Sequence, residues 1–252
     1  MDDLVSLVIR GAIARVTLNR PEARNALNLP MCLALKEMFR AVDADPGIRV
    51  VLLGAAGPVF CAGADLKERQ GKDEAWVRSR RIESFAAYDA IERCSKPVVA
   101  VLQGPVVGSG GEISMSCDFI IAGRDVTFRF PEPHWGTVGA TQRLQRVIGK
   151  RRAKELLFTG RIMPVDEAYT LGLVARVVDD VAATAEEIAT AIANAPPLAM
   201  TLTKQAVDLG EEVSLATGIR IEMAQVERVL ADGEWRASVA HFSRDAKREG
   251  QD

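Results

Sequence analysis

Two unbroken apolar runs, each leading through a glycine turn toward a helix, constrain the fold of this chain more than any other feature. They are Val50-Val51-Leu52-Leu53-Gly54 and Pro97-Val98-Val99-Ala100-Val101-Leu102. Runs this short and this apolar, rich in β-branched residues, read as buried strands. The second continues through Gly108-Ser109-Gly110-Gly111 into a helix carrying Glu112, then a short strand at Phe119-Ile120-Ile121-Ala122 and another over 127–130. The unit of strand, glycine turn, helix and strand therefore recurs, as a structural repeat without a fixed sequence period. The chain is of the α/β class.

Other segments fit around that repeat. Leu4 to Asn19 reads as a hairpin turning at Gly11, and Pro21 opens a helix running to about Asp43, with Leu27, Met31, Leu35, Met38 and Val42 at helical spacing. Asp45-Pro46-Gly47 stops it, and a charged helical segment runs from after Ala64 to about Cys94. From Ala182 the pattern is helical only: to Ala195, then Ala199 to Gly210, Leu215 to Ala231, and 234–247. The expected division is a core with the site over 1–195 and a helical, oligomerising region over 196–252.

Composition removes several functional classes. A net charge of −2 with no basic run argues against nucleic acid as a partner. No apolar run approaches the ~18 residues a membrane span needs, and the two aspartates near the start do not resemble a signal peptide. Cys32, Cys61, Cys94 and Cys117 are widely spaced, as expected of reduced thiols in the cytoplasm. With only His134 and His241 beside them, there is little material for a metal site.

Chemistry concentrates at three places. Glu112 follows the glycine cluster, Glu132 ends Thr127-Phe128-Arg129-Phe130-Pro131-Glu132, and Phe60-Cys61-Ala62-Gly63-Ala64-Asp65-Leu66 has the same strand, turn and helix character upstream. A carboxyl beside Ile113 and Met115 on a packed helix is costly unless it has work or partners. Backbone N–H groups at glycine turns can hold an oxygen that gains negative charge, and two carboxyls can move the proton beside it. Those parts suit acyl-thioester chemistry through an enolate.

The ordered motifs resemble the crotonase family, the enoyl-CoA hydratase/isomerase superfamily. They are Leu18-Asn19-Arg20-Pro21-Glu22-Ala23-Arg24-Asn25-Ala26-Leu27, Phe60 to Lys67, Gly104 to Asp118, Thr141-Gln142-Arg143-Leu144 and Leu171-Gly172-Leu173-Val174. The resemblance implies a spiral of ββα units, with assembly into trimers or pairs of trimers. It places the catalytic carboxylates at Glu112 and Glu132 and the oxyanion-hole amides at Ala64 and Ser109. It also puts Arg24, Ala62, Ala64, Asp65, Leu66 and Lys67 against CoA, which arrives with the acyl substrate, so no separate cofactor is implied. Ser109 stands where glycine or alanine is usual, and the loop after Glu132 is short, with Pro133, His134 and Trp135 atypical. His134 and Trp135 are therefore candidates for an acyl pocket. Asp118, Gln142 and Arg143 read as structural hydrogen-bonding groups.

The expected activity is hydration of the 2,3 double bond of an enoyl-CoA. A double-bond isomerase working through Glu132 is the nearest rival. An acyl-CoA-binding paralogue with weak catalysis is the rival of another class.

Overall fold

The computed structural model describes residues 4–233 together with Trp235, Arg236 and Val239. A hairpin of β1 (Val5–Arg10) and β2 (Ile13–Leu18) begins the chain, turning at Gly11. From β2 the main sheet continues in parallel through β3 (Val50–Ala55), β4 (Val98–Leu102), β6 (Phe119–Gly123) and β9 (Arg176–Val178). A second sheet takes β5 (Pro105–Val107), β7 (Thr127–Arg129) and β8 (Ile162–Pro164).

Both faces of the central strands β3, β4 and β6 are covered, which is why these strands carry no polar alternation. On one face Val16, Val51, Leu53, Ala100 and Ile120 join the large core shared with α1 (Leu29–Ala44), including Met31, Leu35 and Phe39. On the other, Val50, Leu52, Val99 and Ile121 meet Val181, Ala185 and Ala189, a four-residue repeat along α7 (Val181–Asn194). Truncating a fully buried residue such as Leu53 to Ala would cost about 2–5 kcal/mol.

The recurring unit becomes a spiral turn: a strand of the large sheet, a strand of the small sheet, then a helix. β4, β5 and α3 (Ser109–Met115) make one turn. β6 and β7, with α4 (Thr141–Ile148) and α5 (Lys150–Thr159), make the next. β3 makes an earlier one with α2 (Glu74–Glu92), and Cys61, bridged in parallel to Val106, takes the place of its small-sheet strand.

Two expected boundaries move. The first helix begins at Leu29 rather than Pro21. Pro21–Ala23 is a single 3-10 turn, Arg24 and Asn25 have φ of 53° and 52°, and Asn28 then caps α1 by accepting from Met31 N–H at 3.0 Å. Nor does a helix start at Ala64; a 3-10 turn at Lys67–Arg69 precedes Asp73, which caps α2. Near the C-terminus, α6 (Val165–Thr170) leads to β9, and α8 (Pro197–Gly210) and α9 (Leu215–Asp232) follow α7. The helix expected over 234–247 falls outside the described residues, but for Trp235, Arg236 and Val239.

Candidate active site

Loops from consecutive spiral turns meet at the site. Val107 N–H donates to the Cys61 carbonyl at 2.9 Å, and Gly108 N–H donates to the Arg129 carbonyl at 2.9 Å. The segment before Ala64, the turn before Ser109 and the strand before Glu132 are thereby laced side by side.

The motif from Leu18 to Leu27 is the scaffold of the first loop. Asn25, fully buried, accepts from Arg20 N–H and donates to the carbonyls of Ala56 and Val59, all at 2.8 Å. Leu27 N–H bonds the Gly63 carbonyl at 2.8 Å and Asp65 N–H bonds the Leu27 carbonyl at 2.9 Å. Residue alternation along that bridge leaves Ala64 N–H without a backbone acceptor among the described residues. Ser109 N–H, at the first position of α3, is likewise left without one.

Asp65 has two tasks: its Oδ2 pairs with Arg20 at 2.6 Å and its Oδ1 accepts from Lys67 N–H at 3.0 Å. Burial works to raise this carboxyl, but the Arg20 and Lys67 hydrogen bonds and the Arg20 charge outweigh it and hold the group below the usual range. Ala62 is tied to the Arg24 carbonyl at 3.0 Å, and Arg24, Leu66 and Lys67 form an exposed lip beside Ala64.

Glu112 lies on α3, buried from Ser109 through Ser114, and is 6% exposed. Its Oε1 accepts from Ala140 N–H at 2.7 Å, and its Oε2 accepts from Arg143 Nη1 at 3.2 Å. Arg143 also pairs with Glu92 and lies over the Tyr88 ring, 5.9 Å from its centroid. Ala140 has a left-handed φ of 54°, uncommon for alanine, at the cap of α4. That backbone conformation is what presents its N–H to the carboxylate.

Glu132 begins the 3-10 turn Glu132–Trp135. Its carboxyl fills space that a side chain would take at Gly108 or Gly139: a Cβ would stand 2.9 Å from Oε1 at the first and 2.8 Å from Cγ at the second. Gly108 also holds a φ of +49°, so glycine is required there twice over. Oε2 is buried with no hydrogen-bond partner among the described residues. Burial raises the Glu132 pKa above the usual carboxyl range, a bond from its own backbone N–H opposes this, the Glu112 charge adds to the rise, and Arg81 opposes it. Adjacent residues, Gly139 and Ala140, thus touch one carboxyl each, which brings the two glutamates to one place.

His134 and Trp135 are placed elsewhere. The His134 ring packs on Gly160 with Nε2 2.9 Å from the Phe158 carbonyl oxygen, and Trp135 is 64% exposed. The 3-10 turn thus sets His134 against the end of α5 and leaves Trp135 on the surface of this chain. Two residues join the site instead. Arg143, expected as a structural hydrogen-bonding group, donates to Glu112, and Tyr88, 3% exposed on α2, lies under the Arg143 guanidinium. Tyr88 sits within a helical pattern that reads as packing, and only the third dimension sets it beside Arg143.

Comparisons with known proteins place the whole chain among known relatives. The family described as Enoyl-CoA hydratase/isomerase matches residues 9–249. The short-chain-enoyl-CoA hydratase of Clostridium acetobutylicum is 34% identical over 98% of this chain and 97% of its own. The crystal structure of enoyl-CoA hydratase from Bacillus anthracis superposes with a TM-score of 0.93 at 34% identity, covering 96% of each chain. A Thermobifida fusca protein solved in complex with CoA superposes with a TM-score of 0.85 at 28% identity, covering 91% of this chain and 94% of its own.

Proposed function

We propose that this chain, which belongs to the enoyl-CoA hydratase/isomerase family, is a hydro-lyase that adds water across the 2,3 double bond of an enoyl-CoA. The observation that carries the reading is the unequal treatment of two adjacent carboxyls. Glu112 accepts from an N–H and a guanidinium, while Glu132 keeps one oxygen buried and unpartnered with its pKa raised.

In this reading Glu112 takes the proton from a water as its oxygen attacks C3. The electron pair of the double bond moves toward the thioester, whose oxygen gains charge against the N–H groups of Ala64 and Ser109. Glu132, whose pKa burial raises, then delivers its proton to C2. Arg24, Ala62, Asp65, Leu66 and Lys67 supply the surface for the CoA moiety.

Following the loss of conjugated absorbance over a panel of 2-enoyl-CoA thioesters tests the activity. Turnover with release of the 3-hydroxyacyl product supports hydration. Conversion of 3-enoyl to 2-enoyl thioesters without hydration would make the chain an isomerase, and binding without turnover would make it a carrier.

The same proposal includes assembly as a trimer or a pair of trimers through the helical tail. Val207, Leu215, Ile219 and Met223 on α8 and α9 are each more than half exposed, which suits faces that meet another subunit. Light scattering at micromolar concentration should return a multiple of three; a monomer would overturn the assembly and leave the chemistry standing.

A further inference from the structure

Among the described residues Arg80, on α2, is the largest side chain that is fully buried, at 1% exposed. It carries a charge, and the reaction gives it no task. Each nitrogen of its guanidinium has a partner. Nε donates to Glu68 Oε1 at 2.6 Å, Nη1 to the Ser84 hydroxyl at 2.8 Å and Nη2 to the Leu27 carbonyl. Glu68, its side chain 14% exposed, accepts from Leu29 N–H at 2.8 Å through its other oxygen, Oε2. The packing of α1 on α2 does not call for this pair. Met31, Leu35 and Phe39 of α1 share an apolar core with Ala87 and Ile91 of α2. An ion pair taken out of water has no general advantage in stability over apolar groups of similar volume, because desolvation offsets its attraction. A planar fork of donors does fix direction, which apolar contacts do not.

Direction matters at Leu27. Its N–H bonds the Gly63 carbonyl at 2.8 Å and its carbonyl accepts from Asp65 N–H at 2.9 Å, so Leu27 holds the residues on both sides of Ala64. That carbonyl is the one Arg80 grips. Two residues on, Leu29 N–H is an orphan donor in the first turn of α1, and Glu68 takes it. Glu68 itself lies in the 3-10 turn Lys67–Arg69, four residues after Ala64. One ion pair thus clamps α2, the segment Leu27–Leu29 and the downstream end of the Ala64 loop. Asn25 holds the upstream end through the carbonyls of Ala56 and Val59.

We propose that the Arg80–Glu68 pair is a positioning device for the oxyanion hole, aiming Ala64 N–H through Leu27 without touching the substrate. The inference rests on the assignment of Ala64 as a hole amide in the reading above. A displacement of about 1 Å at a reacting group can cost on the order of 10²-fold in rate. The pair therefore matters more to turnover than to stability.

The test is the double variant Arg80→Met/Glu68→Gln, which removes both charges together and leaves neither buried alone. The probe is acetoacetyl-CoA, a 3-ketoacyl thioester whose enolate puts negative charge on the thioester oxygen and absorbs in the near ultraviolet. The melting temperature of the double variant should stay within about 5 °C of wild type. Its affinity for butyryl-CoA, a saturated thioester, should stay within about threefold. Hydration kcat should fall at least about tenfold, and the pH at which bound acetoacetyl-CoA shows its enolate absorbance should rise by about one unit. An unchanged kcat, or a lower kcat without that pH shift, would overturn the proposal. So would a variant that fails to fold or melts far below wild type, since the pair would then serve the fold. Loss of butyryl-CoA affinity in step with kcat would assign the pair to CoA binding and also overturn it. A wild type that stabilises no enolate would bring down the Ala64 assignment, and this inference with it. A wild type that stabilises the enolate but hydrates no 2-enoyl-CoA would bring down the hydration reading alone.

Discussion

Glu112 is carried by a helix buried along most of its length and has a donor for each carboxyl oxygen, whereas Glu132 is carried by a 3-10 turn between glycines and keeps one buried oxygen without a partner. The two groups are neighbours, share Gly139-Ala140 as a boundary and are the same residue type. Their difference lies in what surrounds them. Each oxygen of Glu112 meets a donor, and burial near another negative charge stabilises the neutral form of Glu132. A site built this way holds a base and an acid at the same pH without using two kinds of side chain.

If this contrast is catalytic, removing either group should have the largest effect. Glu112→Gln and Glu132→Gln are each expected to lower kcat/KM for hydration by at least about 10²-fold in stopped assays of a 2-enoyl-CoA. A variant that keeps near-full hydration would remove that residue from the mechanism.

Loosening one side should matter less. Arg143→Met deletes one of the two donors to Glu112 and leaves Ala140 N–H in place, so kcat should fall about tenfold with KM little changed. An unchanged kcat would mean that Arg143 is concerned only with Glu92 and Tyr88. Smaller still are Ser109→Ala and Tyr88→Phe, each expected within about threefold of wild type, because the hole is built from amides. A loss above about 10²-fold in Ser109→Ala would make the hydroxyl the working group.

Stability should move in the opposite direction. With its folded pKa raised above the unfolded value of about 4.5, Glu132 contributes stability that is present at low pH and lost as pH rises through the folded pKa. Glu132→Gln carries no such loss. Its melting temperature should exceed that of the wild type by about 1–3 °C at about pH 8, with the gain fading in acid. A variant less stable than wild type at alkaline pH would show that the ionised carboxylate is better satisfied than its surroundings imply.

Much of this arrangement was legible in the sequence because it rests on local signals. The apolar runs at Val50 and Val98, the glycine cluster before Glu112 and the break at Pro196-Pro197 mark backbone that can adopt few conformations. The start of α1 was less legible, since Pro21 carries the usual signal of a first helical position. Here it opens one 3-10 turn, and tertiary bonds through Asn25 hold the two left-handed residues that end it. The sequence around Ala64 signals a helix start for a similar reason. Its glycine serves an extended strand substitute, a role visible only once Val106 lies beside Cys61. Arg143 acquires its meaning from Glu112, 31 positions away. No spacing rule reaches that far along a chain.

The division of labour between the two glutamates is tested most directly by the pH dependence of kcat/KM for hydration in the wild type, Glu112→Gln and Glu132→Gln. Wild-type activity should fall on the alkaline side as Glu132 gives up its proton through its raised pKa. Glu132→Gln, slow as it is, should lose that alkaline limb, and Glu112→Gln should keep it. An alkaline limb that survives in Glu132→Gln and disappears in Glu112→Gln would contradict the account and exchange the roles of acid and base.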